Sequence, residues 1–515
     1  MKKGIGKTIS IIVILTMIFQ LILPMISELN IKVLAADEIT ADLEISTKEE
    51  LIAFANDVNN GNTYEEKTVV LTADIDLEGN ENNQWTPIGN DSYAFEGTFD
   101  GRNHIISNLY ISDSNNLGKG FFSDNNGTIK NLNISSGAVI GNEANDWGVG
   151  GLVGTNRGII ENVETMLDIH GTETNIGGIV GSNSGEMRDS VSNGSVSLNA
   201  YISYNYVGGI VGKNSGTIFK CNNNSDVIID TDELTFVGGI VGLNNGIVKE
   251  SINEARIENR EYVGGIVGCN KTTQYDNIVI DCINNGNVRG KRFIGGICGD
   301  NTSGIKDCLN YGKIESTINR GNSDVGGISG QSTIVSENSM AIIVNCHNYG
   351  NVEGADGVAG IVATTGGKKE KVFVKRCNNY GEIISHHKNE DPENYEYTAS
   401  EIAGIVQSNG GNLIDCINFG NIKGVVSAGG IISSNQCGTV NRCANYGSVT
   451  TSIGKSNGVS RTGAYNLVSA GIAVLNYSGE IYNCYSKGEI SSEVRDGLNI
   501  SPKVMGLIYQ NDGSI

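Results

Sequence analysis

The chain has 515 residues, among them 70 glycines, 4 prolines and 11 cysteines. Glycine occurs at about twice its usual frequency of roughly 7%, and no Gly-X-Y period is present, which excludes a collagen. The formal net charge is −21. Such a surface repels polyanions, so we expect no nucleic-acid partner.

The N-terminus is typical of a secretory signal peptide over residues 1–35. Three lysines lie within the first seven residues, residues 9–26 are mostly apolar, and residues 33–36 offer small side chains for cleavage. An uncleaved membrane anchor is the alternative, because the apolar stretch is borderline in length. No later stretch is apolar enough to span a bilayer. We therefore expect a secreted or cell-surface protein with no membrane span once the signal is removed.

Residues 36–66 are predicted to form an N-terminal cap that contains a short helix. The stretch 46–61 begins with Ser and Thr, has Glu residues in what would be its first turn, and carries apolar residues at helical spacing. A solenoid needs its first coil covered, and this helix lies where that cover should be.

An internal repeat occupies residues 67–515. Its best-kept element is V-G-G-I-V-G, and each copy leads to an Asn-x-Gly turn, a short apolar run, a C-x-N-x-G segment and a last β-prone stretch. The clear copies begin at residues 149, 176, 207, 237, 263, 294 and 325, and weaker copies begin at 358, 402, 428, 469 and 504. Such short segments, bounded by Gly and Asn, are strands joined by tight turns.

This repeat predicts an all-β fold, a right-handed parallel β-helix in which about 30 residues with three short strands make one coil. Neighbouring coils pair at roughly 4.8 Å, and each buries its apolar side chains only against its neighbours. The copy at residue 504 is followed by no cap. We therefore expect an uncapped C-terminal edge, which could self-associate end to end.

Residues at the same place in successive coils should form rows along the solenoid. One cysteine per coil occurs at residues 221, 282, 308, 346, 377, 416, 443 and 484. We expect buried thiols that behave as small apolar side chains; some disulfides or a metal site are the alternatives.

A second row is aromatic and consists of Tyr311, Tyr349, Tyr380, Phe419 and Tyr446. It is a candidate ligand-binding row for a sugar ring or a partner surface. The alternative is a self-stacked row that seals one corner of the solenoid.

The repeat resembles the GLUG repeat of secreted bacterial surface proteins. The resemblance rests on the G-[LI]-x-G core and on the opening segments E-E-L-I-A-F-A-N-D-V-N-N-G, L-T-A-D-I-D-L, W-T-P-I-G and F-E-G-T-F-D-G, and it covers residues 44–515. It implies an adhesin-like or filamentous surface protein, or the N-terminal region of an IgA1-protease-type zinc metallopeptidase.

The sequence shows no catalytic constellation. None of the five histidines forms the H-E-x-x-H motif that a zinc peptidase of that class requires. Polysaccharide cleavage needs two carboxylates about 5–10 Å apart, and Asp74 and Asp76, which alternate on a strand, do not stand out from the other acidic residues. We expect no catalytic residue, no metal ligand and no cofactor, and no motif supports Ca²⁺ binding.

Insertions between coils are candidates for specific recognition. The longest and most charged covers residues 384–398, with His386, His387, Lys388, Tyr395 and Tyr397 as candidate contact residues. A tolerated surface loop is the alternative.

We therefore expect adhesion or ligand binding without catalysis, with a glycan or protein of a host or neighbouring cell as the partner. The alternatives are a carbohydrate-active β-helix, either a polysaccharide lyase or a hydrolase, and the stalk of a larger zinc metallopeptidase whose catalytic domain is absent from this chain.

Overall fold

The structure is a computed structural model. It describes residues 41–112, 118–141, 148–172, 175–200, 203–271, 278–319, 321–334, 339–386, 400–453, 467–494 and 502–514. The predicted signal peptide, residues 1–35, lies outside these ranges. Residues Leu43–Ile515 form one compact unit.

The predicted parallel β-helix is confirmed. The strands form three sheets of 38, 12 and 13 strands, which we call sheets A, B and C. Within each sheet, every coil pairs in parallel with the next, as Val237 does with Val263 and Val263 with Ile294. The right-handed sense of the coil stays a prediction.

The bounds of the strands follow the repeat. Sheet B contains Val149–Gly150, Asn175–Gly177, Asn205–Gly208, Thr235–Gly238, Glu261–Gly264, Arg292–Gly295, Val325–Gly326, Val358–Ala359, Glu401–Ala403, Ser427–Gly429, Val468–Ala470 and Lys503–Met505. Sheet C contains Phe122–Asn125, Val153–Asn156, Val180–Asn183, Val211–Asn214, Val241–Asn244, Val267–Asn270, Cys298–Asn301, Ser329–Thr333, Val362–Gly366, Val406–Asn409, Ile432–Asn435, Ala473–Asn476 and Ile508–Asn511.

Sheet A forms the rest of the coil. It contains Leu43–Ile45, Thr68–Leu71, Ile75–Asp76, Thr98–Asp100, Ile105–Ser107, Leu109–Ile111, Thr128–Ile134, Gly137–Ile140, Ile159–Gly171, Glu186–Arg188, Val191–Leu198, Thr217–Phe219, Asn222–Asn223, Asp226–Ile228, Ile247–Lys249, Ile252–Asn253, Ile257–Glu258, Ile278–Ile280, Ile283–Asn284, Val288–Gly290, Gly304–Lys306, Leu309–Asn310, Ile314–Ser316, Ala341–Val344, His347–Asn348, Val352–Gly354, Val372–Lys375, Asn378–Asn379, Ile383–Ser385, Asn412–Ile414, Ile417–Asn418, Ile422–Gly424, Thr439–Asn441, Ala444–Asn445, Val449–Ile453, Glu480–Tyr482, Tyr485–Ser486 and Ile490–Val494.

A typical coil carries five short strands, so the prediction of three per coil was wrong. One coil runs through Glu261–Gly264, Val267–Asn270, Ile278–Ile280, Ile283–Asn284 and Val288–Gly290. Two breaks account for the difference. The glycine pair divides V-G-G-I-V-G between sheets B and C, and a left-handed residue, here Asp281 at φ 55°, divides the apolar run from the C-x-N segment.

The predicted N-terminal helix is present as Lys48–Asn59. The Thr47 hydroxyl accepts a hydrogen bond from the Glu50 N–H at 3.2 Å, and the Glu50 carboxylate accepts one from the Thr47 N–H at 3.1 Å. This capping box satisfies two otherwise free donors at the helix start. On the buried side, the Phe54 ring lies 5.9 Å from the rings of Phe95 and Phe99, so the helix covers apolar surface of the first coils. Among the described residues, one 3-10 helix, Lys369–Lys371, lies within a coil, between the sheet C strand Val362–Gly366 and the sheet A strand Val372–Lys375.

Two ladders of buried asparagines run from coil to coil. In each ladder the Nδ2 of one residue donates to the Oδ1 of the next at 2.7–3.0 Å over most of its length. One ladder contains Asn125, Asn156, Asn183, Asn214, Asn244, Asn270 and Asn301, and the other contains Asn223, Asn253, Asn284, Asn310, Asn348, Asn379, Asn418 and Asn445. Because buried amides must be hydrogen-bonded, each coil fixes the register of the next.

The eight predicted ladder cysteines are free thiols, and seven of them are buried. Burial raises the pKa of the Cys221 thiol to about 12, so this group is an unreactive apolar side chain at neutral pH. Several of the thiols donate to the backbone, as Cys308 does to the Lys306 carbonyl at 3.2 Å. The reading as buried thiols is therefore confirmed over the reading as disulfides.

Thiol titration of the native protein should reveal only two reactive groups. Of the 11 cysteines, Cys437 is exposed and Cys484 is half-buried, while the others are buried. We expect Cys437 to react quickly with a disulfide reagent and Cys484 slowly, and we expect all 11 to react after unfolding without reductant. Fewer than 11 after unfolding would reveal disulfides and contradict the ladder of free thiols.

Candidate functional site

The predicted aromatic row exists and is exposed. Successive ring centroids from Tyr311 through Tyr349, Tyr380 and Phe419 to Tyr446 lie 4.9, 4.7, 5.0 and 5.3 Å apart, with planes inclined by 3–12°. Tyr311 is 48% exposed and the other four are 39–41% exposed. We call these five residues the tyrosine row.

The stacking decides which part of the tyrosine row a ligand can reach. Because neighbouring rings are nearly parallel, each ring covers a face of the next, and solvent meets ring edges and phenol hydroxyls. A sugar ring cannot stack on a face that is already covered. A ligand therefore has to contact edges and hydroxyls that recur about every 5 Å, the coil spacing.

The sequence analysis missed how the row ends. In the coil after Tyr446 the equivalent position is Lys487, whose Nζ lies 5.8 Å from the centroid of the Tyr446 ring. Tyr485 adds an edge-on ring at 5.7 Å from the same residue. Lys487 stands three residues after Cys484, as Tyr446 does after Cys443, so the spacing from the ladder cysteine was the signal that could have found it.

The candidate recognition loop is described only at its start. His386 follows the strand Ile383–Ser385, and its N–H donates to the Gly354 carbonyl at 3.0 Å. The other four candidate residues, His387, Lys388, Tyr395 and Tyr397, lie outside the described residues.

A second aromatic stack was not predicted. Ring centroids of Tyr206, Phe236, Tyr262 and Phe293 lie 5.7, 4.8 and 4.6 Å apart, and the Arg292 guanidinium lies 4.5 Å from the Phe293 centroid. Each ring directly precedes a V-G-G or I-G-G copy, so the signal was present in the sequence at a constant position. These rings are half-buried, and we assign them a packing role at the outer edge of sheet B.

A group of carboxylates near the start of three sheet B strands was also missed. The Asp356 carboxylate accepts hydrogen bonds from the N–H groups of Glu401 at 2.6 Å and Gly357 at 2.8 Å. Asp324 is buried and accepts from the Thr364 hydroxyl at 3.1 Å. Burial, reinforced by the negative charges of Glu401 and Asp324, raises the pKa of Asp356 to about 7 despite its two N–H donors.

The raised pKa of Asp356 predicts a pH-dependent stability. Its unfolded pKa is about 3.9, so the stabilisation of its protonated form is complete below about pH 4 and is lost as the pH rises to about 7. We expect Asp356→Asn, which keeps the acceptor oxygen, to stabilise the protein by about 2–4 kcal/mol at pH 8. Denaturant unfolding of both proteins at about pH 4 and pH 8 tests this difference.

The control for this experiment is Asp226→Asn, an exposed aspartate of sheet A. An equal gain from Asp356→Asn at both pH values would contradict the raised pKa and would point to a pH-independent packing effect.

No group of three or more His, Cys, Asp or Glu side chains in the described part of the chain could hold a metal ion. No helix among those residues is long and apolar enough to cross a membrane.

Comparison with known proteins gives partial matches. No family model matches the chain. Halomucin from Haloquadratum walsbyi is 39% identical over 120 residues, which is 22% of this chain and 1% of halomucin. The chain thus spans a very small part of this curated relative.

Two solved structures are similar over part of the chain. A protein from Bacteroides ovatus, provisionally assigned as an immunoglobulin A1 protease, is 17% identical with a TM-score of 0.30, covering 71% of this chain and 83% of its own. An IgA1 protease is 18% identical with a TM-score of 0.35, covering 59% of this chain and 23% of its own. These values carry no argument about activity, and the fold rests on the strand pairing described above.

Proposed function

We propose that this protein is a secreted or cell-surface β-helical rod that binds an extracellular glycan or protein along the tyrosine row and has no catalysis of its own. The exposed, in-register row carries the proposal. The five rings form four adjacent pairs at nearly constant spacing, and four of the five rings carry a hydroxyl. This arrangement suits a ligand that is extended and repeats along the rod axis.

The repeat favours this use of the fold. A solenoid in which each coil contacts only its neighbours forms a long surface, and surfaces of this kind are common binding faces of repeat proteins. The signal-peptide pattern and the resemblance to secreted surface proteins support an extracellular location. The ligand contacts would be hydrogen bonds to the phenol hydroxyls and apolar contacts to ring edges, which together are typical of aromatic residues at interfaces.

Removing two rings from the centre of the tyrosine row should abolish most of the binding. We expect the double variant Tyr349→Ala, Tyr380→Ala to lose about tenfold or more in affinity, because central aromatic residues dominate binding surfaces. Retention of the mature wild-type chain and of the double variant on a glycan array and on immobilised mucin measures this loss of affinity. The control is Tyr477→Ala, which removes a tyrosine that is 43% exposed outside the row.

Circular dichroism of the double variant would show that the solenoid remains folded. Unchanged retention in that folded variant would mean that the row only seals the corner. Absence of any retained ligand for the wild-type chain would contradict the binding function itself.

A second function, carbohydrate cleavage, is favoured by one observation. Burial raises the pKa of Asp356 to about 7, and the Glu401 carboxyl is close enough to add to this shift; glycoside hydrolases use a carboxyl of raised pKa together with a second carboxyl. New reducing ends released from a polysaccharide panel by wild type, but by neither Asp356→Asn nor Glu401→Gln, would establish it. No release by the wild-type chain would leave Asp356 with a structural role.

A further inference from the structure

A polar pocket lies beside three coils that precede the tyrosine row and the coil that carries Tyr311. It has a volume of about 290 Å³, and residues from four successive coils line it, among them Ser203, Glu233, Glu261 and Lys291. The Ser203 hydroxyl donates to the Glu233 carboxylate at 2.6 Å. The Lys291 N–H donates to the Arg260 carbonyl at 2.6 Å. The pocket is therefore built by the stacking of coils, each of which contributes at least one lining residue.

The charges in this pocket are of both signs and are only partly paired. Arg260 forms an ion pair with Asp232. The Glu261 carboxylate and the Lys291 ammonium form no ion pair with any residue that the structure describes. These two groups remain available as a strong acceptor and a strong donor. Alcohol hydroxyls satisfy both, since they donate to carboxylates and accept from ammonium groups.

The net charge argues against an acidic ligand. Three carboxylates line the pocket, from Asp232, Glu233 and Glu261, against the two cations of Arg260 and Lys291. The whole chain carries a formal charge of −21. A ligand with a carboxylate, sulfate or phosphate would be repelled locally and at long range. The lining therefore suits a ligand with many hydroxyls and no charge.

Tyr204 carries an exposed aromatic ring, and its backbone adjoins the pocket. It follows Ser203, and its N–H donates to the carbonyl of Leu234, which lines the pocket, at 2.7 Å. Tyr204 is 65% exposed and its φ is 74°, a left-handed conformation that costs free energy for a bulky residue. Unlike the rings of both stacks, its ring stacks on no other ring among the described residues.

We infer that this pocket is a binding subsite for a single neutral sugar residue, with the Tyr204 ring as the platform for the sugar face. Glu261 and Glu233 accept hydrogen bonds from sugar hydroxyls, and Lys291 donates to them. The inference deepens the proposed glycan binding by naming the ligand class, but it uses none of the residues of the tyrosine row.

The experiment is saturation-transfer NMR of the mature chain with D-galactose, N-acetylglucosamine and D-galacturonic acid. Galacturonic acid has the galactose ring and adds a carboxylate, so the pair isolates the effect of charge. We expect both neutral sugars to bind, and galacturonic acid to bind about tenfold more weakly than galactose. Addition of salt should change the galactose affinity little, because the sugar is uncharged.

Two variants test the residues. Tyr204→Asn removes the ring but keeps a residue that tolerates the left-handed conformation, and Glu261→Gln removes the charged acceptor. We expect each to weaken galactose binding about fivefold or more, while Tyr477→Ala leaves it unchanged.

Tighter binding of galacturonic acid than of galactose, or wild-type affinity in either pocket variant, would overturn the inference. The double variant of the tyrosine row separates the two proposals. If it loses retention on polymers but still binds galactose, the pocket is independent of the row. If the wild-type chain retains polymers but binds no monosaccharide, the pocket inference fails and the row proposal stands.

Discussion

Replacing Gly265 with alanine should destabilise the solenoid strongly. A Cβ at this position would lie 2.2 Å from the Gly296 carbonyl oxygen of the next coil and 2.3 Å from the Asn284 side chain. Neither can move away, because one is backbone and the other belongs to a buried hydrogen-bonded ladder. We expect a loss of about 4 kcal/mol or more.

Hydrogen exchange measures this effect coil by coil. Since each coil contacts only its neighbours, protection should be lost around residues 237–300 and kept in distant coils. The control is Gly506→Ala, which occupies the same place in its own copy of the motif but has no atom within 4 Å of the added Cβ. Equal protection in both variants would show that close approach of the coils does not require glycine there.

Replacing Asn310 with alanine should break the second asparagine ladder at its centre. Asn310 Nδ2 donates to the Gly312 carbonyl at 2.9 Å and to Asn348 Oδ1 at 2.7 Å, and its Oδ1 accepts from Asn284 at 2.7 Å. The residue is fully buried, so water cannot replace these partners. Since each unsatisfied buried group costs about 1–3 kcal/mol, we expect a total loss of about 4 kcal/mol.

Guanidinium unfolding followed by circular dichroism gives this value, with Asn285→Ala as the control. Asn285 is exposed and makes one side-chain hydrogen bond to Glu254 at 2.8 Å, so its loss should cost about 0.5 kcal/mol or less. Asn310→Ser should fall between the two, because a serine ends the same ladder at Ser486, where it accepts from Asn445 at 3.2 Å. Equal stability of Asn310→Ala and Asn285→Ala would mean that the ladder contributes nothing to stability.

The sequence by itself determined the β-helix, the N-terminal helix and the two side-chain rows. In a solenoid, residues at the same position of successive repeats stack on each other. Once the fold was recognised, Cys308 therefore had to lie next to Cys346, and Tyr349 next to Tyr380. The helix at Lys48–Asn59 was predictable for a local reason, since the Thr47–Glu50 capping box lies within four residues.

Only the tertiary structure decided which groups meet across a coil. The chain passes from sheet B to sheet C at the glycine pairs, where an added Cβ would lie too close to backbone carbonyl oxygens. No local sequence pattern shows these close contacts. Asp356 and Glu401 are 45 residues apart and lie at unequal distances from their copies of the motif. The repeat therefore could not predict that they are neighbours. The pocket at Lys291 also combines residues from four coils. The repeat specifies what stacks directly above each residue, whereas contacts between different positions of a coil depend on how the chain bends, and that is set by packing.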